Sequence, residues 1–131
     1  MTTLAATVAA LAALSVSGVT TAQTAPPQMI NVGALPLSYV RISSMGDEVA
    51  ALGGDNELRR HTLELVVIVA PVDVNTYAVA FASCVAIIDA IATALEARTI
   101  EDGWTRWTMT QEYVTVGTAQ YWQVVARVEA M

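Results

Sequence analysis

The chain has 131 residues, a length that suits one domain with a modest core. Hydrophobic residues make up 55% of it and charged residues only 14%, so a soluble monomer would expose apolar patches. The net charge is −6 and all six basic residues are scattered arginines, which argues against the basic stripe of a nucleic-acid-binding protein. The composition therefore favours a protein that forms oligomers.

The opening residues, 1–27, contain no charged side chain. A secretory signal normally has a positively charged region before its apolar core, and none is present here. Leucine and valine recur at helical spacing after a threonine that can cap the helix. The opposite side carries alanines where a solvated helix would carry charges. We therefore predict a helix over 3–15 that is covered on both sides, followed by an extended arm over 16–35.

The middle of the chain predicts two strands with a loop between them. Residues 37–43 (LSYVRIS) have the pattern of a short strand. Residues 44–57 hold three glycines and four acidic residues, which favours a loop. Residues 59–70 form the clearest strand, because Leu63, Leu65, Val67 and Val69 line one face and the other face turns from polar to apolar at Val66. Such a strand is buried on both faces at its far end, so another segment is expected to cover it.

A long helix is predicted over 74–97, with an acidic or amide residue as its cap. Its expected core stripe consists of Tyr77, Phe81, Cys84, Ile88, Ile91 and Leu95. The opposite side carries small and apolar residues, so it is not suited to face water. Residues 75–95 are also the best candidate for a membrane span, but Asp89 within them argues against insertion.

Two further strands, 104–116 and 119–129, are predicted to form a hairpin that turns at Gly117-Thr118. The order of elements is then helix, strand, strand, helix, strand, strand. This order predicts one α+β domain over 1–131, with a four-stranded, mostly antiparallel sheet and two helices packed on one face.

The sequence contains no recognisable catalytic or metal-binding motif. His61 is the only histidine and Cys84 the only cysteine, so a cluster of metal ligands or a Cys-His pair with motif spacing is missing. The tryptophans at 104, 107 and 122 are expected in the core or in a subunit contact. We therefore predict an interaction protein without enzymatic activity, cofactor or metal. A small oligomeric enzyme with a site near His61 is an alternative.

Several segments in this order resemble a known family. They are the short opening helix, the segment ALPLSYVRIS, the strand RRHTLELVVIVAPV that ends at Pro71, the long helix after it, and the closing hairpin with its final VARVEAM. With these segments the chain resembles the tail-terminator (tail-completion) proteins of long-tailed bacteriophages. The alanine-rich first helix and the long arm depart from that pattern, so another ring-forming neck or connector protein is an alternative.

The resemblance implies a structural virion protein that forms a hexameric ring at the head-proximal end of the tail tube. Such a ring ends tube polymerisation and joins the tail to the head. The implied partners are further copies of the chain, the tail tube protein and a head-completion (neck) protein. DNA would pass through the ring without specific binding, and no membrane would be involved. The implied location is the neck region of the virion, with assembly in the host cytoplasm.

Two sets of residues are candidates for these contacts. The acidic loop would line the lumen or dock a partner through Asp47, Glu48, Asp55 and Glu57. In a ring each subunit buries two different surfaces, which would cover the uncharged backs of both helices. The candidate interface residues on these helices are Leu4, Val8, Leu11, Val79, Ala86 and Ala90.

A different class of protein fits the same opening segment. If residues 1–27 are a cleaved leader, the chain would be a small secreted or envelope α+β binding protein. The mass of the mature N-terminus distinguishes this reading from the ring protein.

Overall fold

A computed structural model describes residues 3–23, 26–27, 29–30, 32–51 and 57–130, with the side chains of 44–51 and 57–59 left out. The helices are α1 (Leu4–Ala12), α2 (Tyr77–Ala97) and the single turn α3 (Thr99–Asp102). The strands are β1 (Thr21–Ala22), β2 (Leu37–Ala51), β3 (Glu57–Pro71), β4 (Trp104–Val116) and β5 (Ala119–Ala130). Short 3-10 turns occupy Val32–Ala34 and Val74–Thr76. The chain is therefore an α+β protein, as the sequence predicts.

The strands form one mixed sheet in the order β1-β2-β3-β5-β4. Every neighbouring pair is antiparallel except β1 and β2, which are parallel. The prediction of a four-stranded sheet was therefore incomplete, because β1 lies within the predicted arm. This strand has only two residues, too few to show an alternating pattern in the sequence. Backbone bonds from Gln23 N to Ser38 O (2.8 Å) and from Thr20 N to Pro36 O (2.9 Å) hold it in place.

The predicted loop over 44–57 is wrong for most of its length. β2 continues to Ala51 and β3 begins at Glu57, so the two strands form a long hairpin whose residues 52–56 lie outside the described part. Ladder pairing continues after a register shift, with Asp47 opposite His61. Glycine and acidic residues have low strand propensity, but pairing with an adjacent strand overrides that preference.

The main core lies between the sheet and the two long helices. α1 contributes Leu11 and α2 contributes residues such as Ile91, and both pack on the face of β3 that carries Leu65 and Val67. Helix α1 is shorter than the predicted 3–15, and the hydroxyl oxygen of Thr3 caps it by accepting a bond from Ala6 N at 3.1 Å.

A second, smaller core lies on the other face of the sheet. Val66 and Ile68 of β3 pack there with apolar residues of β2 and β5. The arm before β2 covers them with Ile30, Ala34 and Leu35. The expectation that β3 is covered on both faces at its far end is therefore confirmed, and the covering segment is the arm.

The inward face of α2 differs from the predicted stripe. Its buried residues are Ala80, Cys84, Ile87, Ile91 and Leu95. Tyr77 and Phe81 were expected in the core but are 43% and 56% exposed. Both stripes follow the helical repeat and differ by a small rotation, so the spacing alone does not select between them. The rotation turns Phe81 outward and brings the small Ala80 against the sheet.

We expect Leu11→Ala to lower the free energy of unfolding by about 2–5 kcal/mol, because Leu11 is fully buried between α1 and the sheet. Urea denaturation of the full chain measures this change. The matched control is Ala9→Gln on the exposed side of the same helix, expected to change stability by less than about 0.5 kcal/mol. Equal stabilities for the two variants would mean that α1 is not part of the folded core.

Candidate interaction surfaces

The first candidate surface is the side of α2 that faces away from the sheet. We define the outer helix face by its exposed residues Val79, Phe81, Ala82, Val85, Ala86, Asp89, Thr93 and Glu96. No charged residue occurs between Asp73 and Asp89, so the first half of this face is apolar and the second half is acidic. Val79 is 69% and Phe81 56% exposed, which is unusual for large apolar side chains grouped on one helix.

The same helix has the length and composition of a membrane span. Residues Val74–Ala97 form one helix of the described chain that is long and apolar enough to cross a bilayer. This is weak evidence for a membrane protein, because core helices of soluble domains pass the same test. In this fold the inner side of α2 packs on β3 and β5 and closes the main core.

An aromatic cluster fixes the start of α2 on the last hairpin. The hydroxyl oxygens of Tyr77 and Tyr113 lie 2.9 Å apart, within hydrogen-bonding distance. The ring of Trp122 packs edge-on to Tyr77, with centroids 5.1 Å apart, and lies 4.5 Å from the ring of Tyr113. The hydrogen bond to Tyr77 raises the pKa of Tyr113, with burial adding to the shift. This cluster sets how far the outer helix face projects from the sheet.

The second candidate surface is the part of the sheet that the arm leaves uncovered. We define the open sheet face by Arg41, Glu64, Arg106, Thr108, Thr110, Glu112, Arg127 and Glu129, on the side opposite the helices. Three of the six arginines of this acidic chain lie here. Three glutamates lie here too, so this face is formally neutral on a chain whose net charge is −6.

A three-residue ion-pair network lies at the centre of the open sheet face. Arg41 on β2, Glu64 on β3 and Arg127 on β5 are direct neighbours across the ladder. Arg41 Nε donates to Glu64 Oε1 at 2.7 Å, and Arg127 Nη2 donates to Oε2 at 3.5 Å. The side chain of Glu64 is only 10% exposed, so it needs these partners. Burial lowers the pKa of Arg41, but the hydrogen bond and charge of Glu64 outweigh that effect and raise it.

Next to this network the face forms two shallow depressions. The smaller, of about 170 Å³, is lined by Arg106, Thr108, Arg127 and Glu129. The larger, of about 490 Å³, extends over Arg41 and Glu64 and is bordered by Ile42 and the buried Val125. Arg106 lies opposite Glu129 on β5 but forms no ion pair among the described residues. The surface therefore offers a positive side chain that no carboxylate of the described chain binds.

The predicted acidic site lies at the far end of the β2-β3 hairpin. Asp47 and Glu48 belong to β2, and Glu57 begins β3 opposite Ala51. Asp55 lies outside the described residues. The structure thus places three of the four acids on paired strands and not in a loop.

The predicted interface residues fall into three groups. Leu11 is fully buried within the chain and has no surface for a neighbour, while Leu4 and Val8 pack half-buried against the main core. Val79 and Ala86 are exposed on the outer helix face, and Ala90 at its edge is half-buried. Leu11 therefore has no surface for a second chain, whereas Val79 and Ala86 are the most accessible of the six.

The residues considered for catalysis are buried in the fold. His61 has no exposed surface, and Cys84 is buried in α2. Burial raises the pKa of the Cys84 thiol, and the nearby side-chain amide of Gln111 partly offsets this shift. A buried thiol with a raised pKa is a poor nucleophile. No group of three potential metal ligands occurs within the part of the chain that was described.

Two comparisons, with protein-family models and with curated sequences, found no match. No protein-family model matches the chain. No curated protein is significantly similar to it in sequence either.

We expect Arg41→Ala to lower the free energy of unfolding by about 1–3 kcal/mol, because it leaves the nearly buried Glu64 with one partner at 3.5 Å. Arg106→Ala, on the same face, should change it by less than about 0.5 kcal/mol. Urea denaturation of both variants at one protein concentration provides the comparison. Equal losses would show that the ion-pair network does not stabilise the sheet.

Proposed function

We propose that this chain is a structural subunit of the tail-terminator type, which assembles into a ring at the head-proximal end of a phage tail tube. The ring would end tube polymerisation and join the tail to the head. The observation that carries this proposal is the apolar outer helix face, with Val79, Phe81 and Val85 exposed on a chain of few charges. A monomer in water would gain stability by burying these side chains against another copy.

Two further observations support a structural role. The order helix, hairpin, helix, hairpin in the fold is the order on which the resemblance to tail-terminator proteins rests. His61 and Cys84, the residues best suited to catalysis, are both buried in the fold. Neither the fold nor these residues requires a cofactor.

The remaining elements of the proposal concern partners. The ring would contact the tail tube protein on one side and a head-completion (neck) protein on the other, first in the host cytoplasm and then in the virion. Negative charge at the far end of the β2-β3 hairpin would let DNA pass without binding, because like charges repel. Any of the other ring-forming neck proteins would share these requirements, and the side of the tube or head to which the ring binds distinguishes them.

We expect the full-length protein to form a six-fold ring with a central hole, with six times the 13.8 kDa mass of the chain. Light scattering measures the mass, and negative-stain microscopy shows the ring. Phe81→Asp should abolish assembly because it places a charge on the outer helix face. The matched control is Ile100→Asp, since Ile100 is 94% exposed on α3.

The proposal fails if the protein is a monomer at all concentrations and also does not cap tail tubes purified from the phage that encodes it. Circular dichroism of each variant must show the wild-type fold, so that a loss of assembly is not a loss of folding.

We expect neutral substitution of the hairpin acids, as Asp47→Asn, Glu48→Gln, Asp55→Asn and Glu57→Gln together, to leave the ring intact and weaken its attachment to tail tubes. Co-sedimentation with purified tubes measures attachment. Wild-type attachment by this variant would exclude the acidic hairpin as a docking element.

The second candidate function is a secreted or envelope binding protein with a cleaved leader, which the uncharged residues 1–27 favour. Leu11 in the main core and β1 in the sheet argue against it, because cleavage after them would remove both. Mass spectrometry of the protein from its native source decides, since an N-terminus beyond residue 22 would support the leader.

A further inference from the structure

Two surfaces of this fold lack a partner within the described chain, and they differ in character. The outer helix face is apolar in its first half and acidic in its second. The open sheet face carries three arginines beside three glutamates, and its Arg106 forms no ion pair among the described residues. We propose that the outer helix face of one copy packs on the open sheet face of the next. This inference rests on the proposed function, because it names the contact that builds the ring.

Charge is the first argument for this pairing. Asp89 and Glu96 are exposed on the outer helix face, and neither forms an ion pair among the described residues. Across the contact they would meet Arg41 and Arg106. Arg41 uses only its Nε for Glu64, so the rest of its guanidinium remains available to a second carboxylate. In a chain of net charge −6, few other surfaces attract a second copy.

The spacing of the charges is compatible with a direct contact. Glu96 is seven positions after Asp89, which corresponds to about 10 Å along a helix axis. The row of Arg41 passes through Glu64 and Arg127 to Thr108, so Arg106 lies three strands across and two residues along from Arg41, or about 16 Å away. Long arginine and glutamate side chains cover the difference. One helix laid across the strands can therefore satisfy both arginines.

The small residues of the two faces also match. Ala82 and Ala86 on the helix and the short Thr108 on the sheet allow the two backbones to approach closely. A sheet covered on both faces by helices is a common way to complete such a layer.

The pairing has a consequence for symmetry. A helix face that contacts a different face on the next copy makes a heterologous, head-to-tail interface. Repetition of such an interface produces a closed ring or a filament, whereas two identical faces in contact would stop at a dimer. The proposed contact is thus of the kind that a ring requires.

The test is a charge exchange in the full-length protein. Arg106→Glu and Glu96→Arg should each raise the concentration needed for half-assembly about tenfold or more, because each places like charges together. The double variant should recover assembly close to the wild-type concentration. Glu101→Arg on α3, outside the outer helix face, is the matched control and should assemble normally. Light scattering over a dilution series measures the concentration needed for half-assembly of the wild type and of the four variants.

A cross-linking experiment keeps the inference testable if a charge variant misfolds. Thr93→Cys on α2 and Thr108→Cys on β4 are both exposed, whereas the native Cys84 is buried. Under mild oxidation the double cysteine variant should form a ladder of disulfide-linked copies, and neither single variant should cross-link.

The outcomes separate the interface from the function. A ring that forms in the wild type but shows neither charge rescue nor a ladder overturns the interface and leaves the ring function standing. Disulfide dimers from a single cysteine variant also overturn it, because they show identical faces in contact. A protein that remains monomeric without any ladder overturns the interface, and it overturns the function as well if it does not cap purified tail tubes.

Discussion

The fold depends on the burial of β3 on both of its faces. Leu65 and Val67 point toward the helices, and Val66 and Ile68 point toward the arm, with all four almost completely excluded from water. A central strand of this composition is stable only if both sides are covered, because each exposed valine or isoleucine would cost about 1.5–3 kcal/mol. β3 is therefore stable only because the two helices cover one of its faces and the arm covers the other. Where β3 becomes polar at Glu64, the need for cover ends and the open sheet face begins.

The elements with a strong repeating pattern could be predicted from the sequence. β3, α2 and the β4-β5 hairpin appear close to their expected positions, since alternation or helical spacing extends over many residues in each. The predictions were wrong where a strand was too short to show an alternating pattern, or where its amino-acid composition favoured a loop. β1 has two residues, and the far end of the β2-β3 hairpin is rich in glycine and acids but is held by pairing. The rotation of α2 about its axis depends on which of its side chains pack against the sheet. Helical spacing in the sequence does not predict this tertiary packing.

The two candidate surfaces also differ in how far the sequence could predict them. The outer helix face could be predicted, because the absence of charged residues from Val74 to Ile88 is visible in the sequence. The network of Arg41, Glu64 and Arg127 could not, because these residues are separated by 23 and 63 positions and meet only through the register of three strands. Leu11 shows the opposite case. Its apolar side could serve an interface or the core, and the position of α1 against the sheet decides for the core.

Charge distribution links these surfaces to assembly. In the proposed ring, copies of an acidic chain face general repulsion, which a local complementary contact has to overcome. Arginine suits the open sheet face because its guanidinium can bind Glu64 within the chain and still present donors outward. Glu64 fixes the direction of Arg41, so less side-chain entropy would be lost when a second carboxylate binds. A network that stabilises the monomer would in this way also prepare the surface for the next copy, and its strength should fall as salt screens the outer charges.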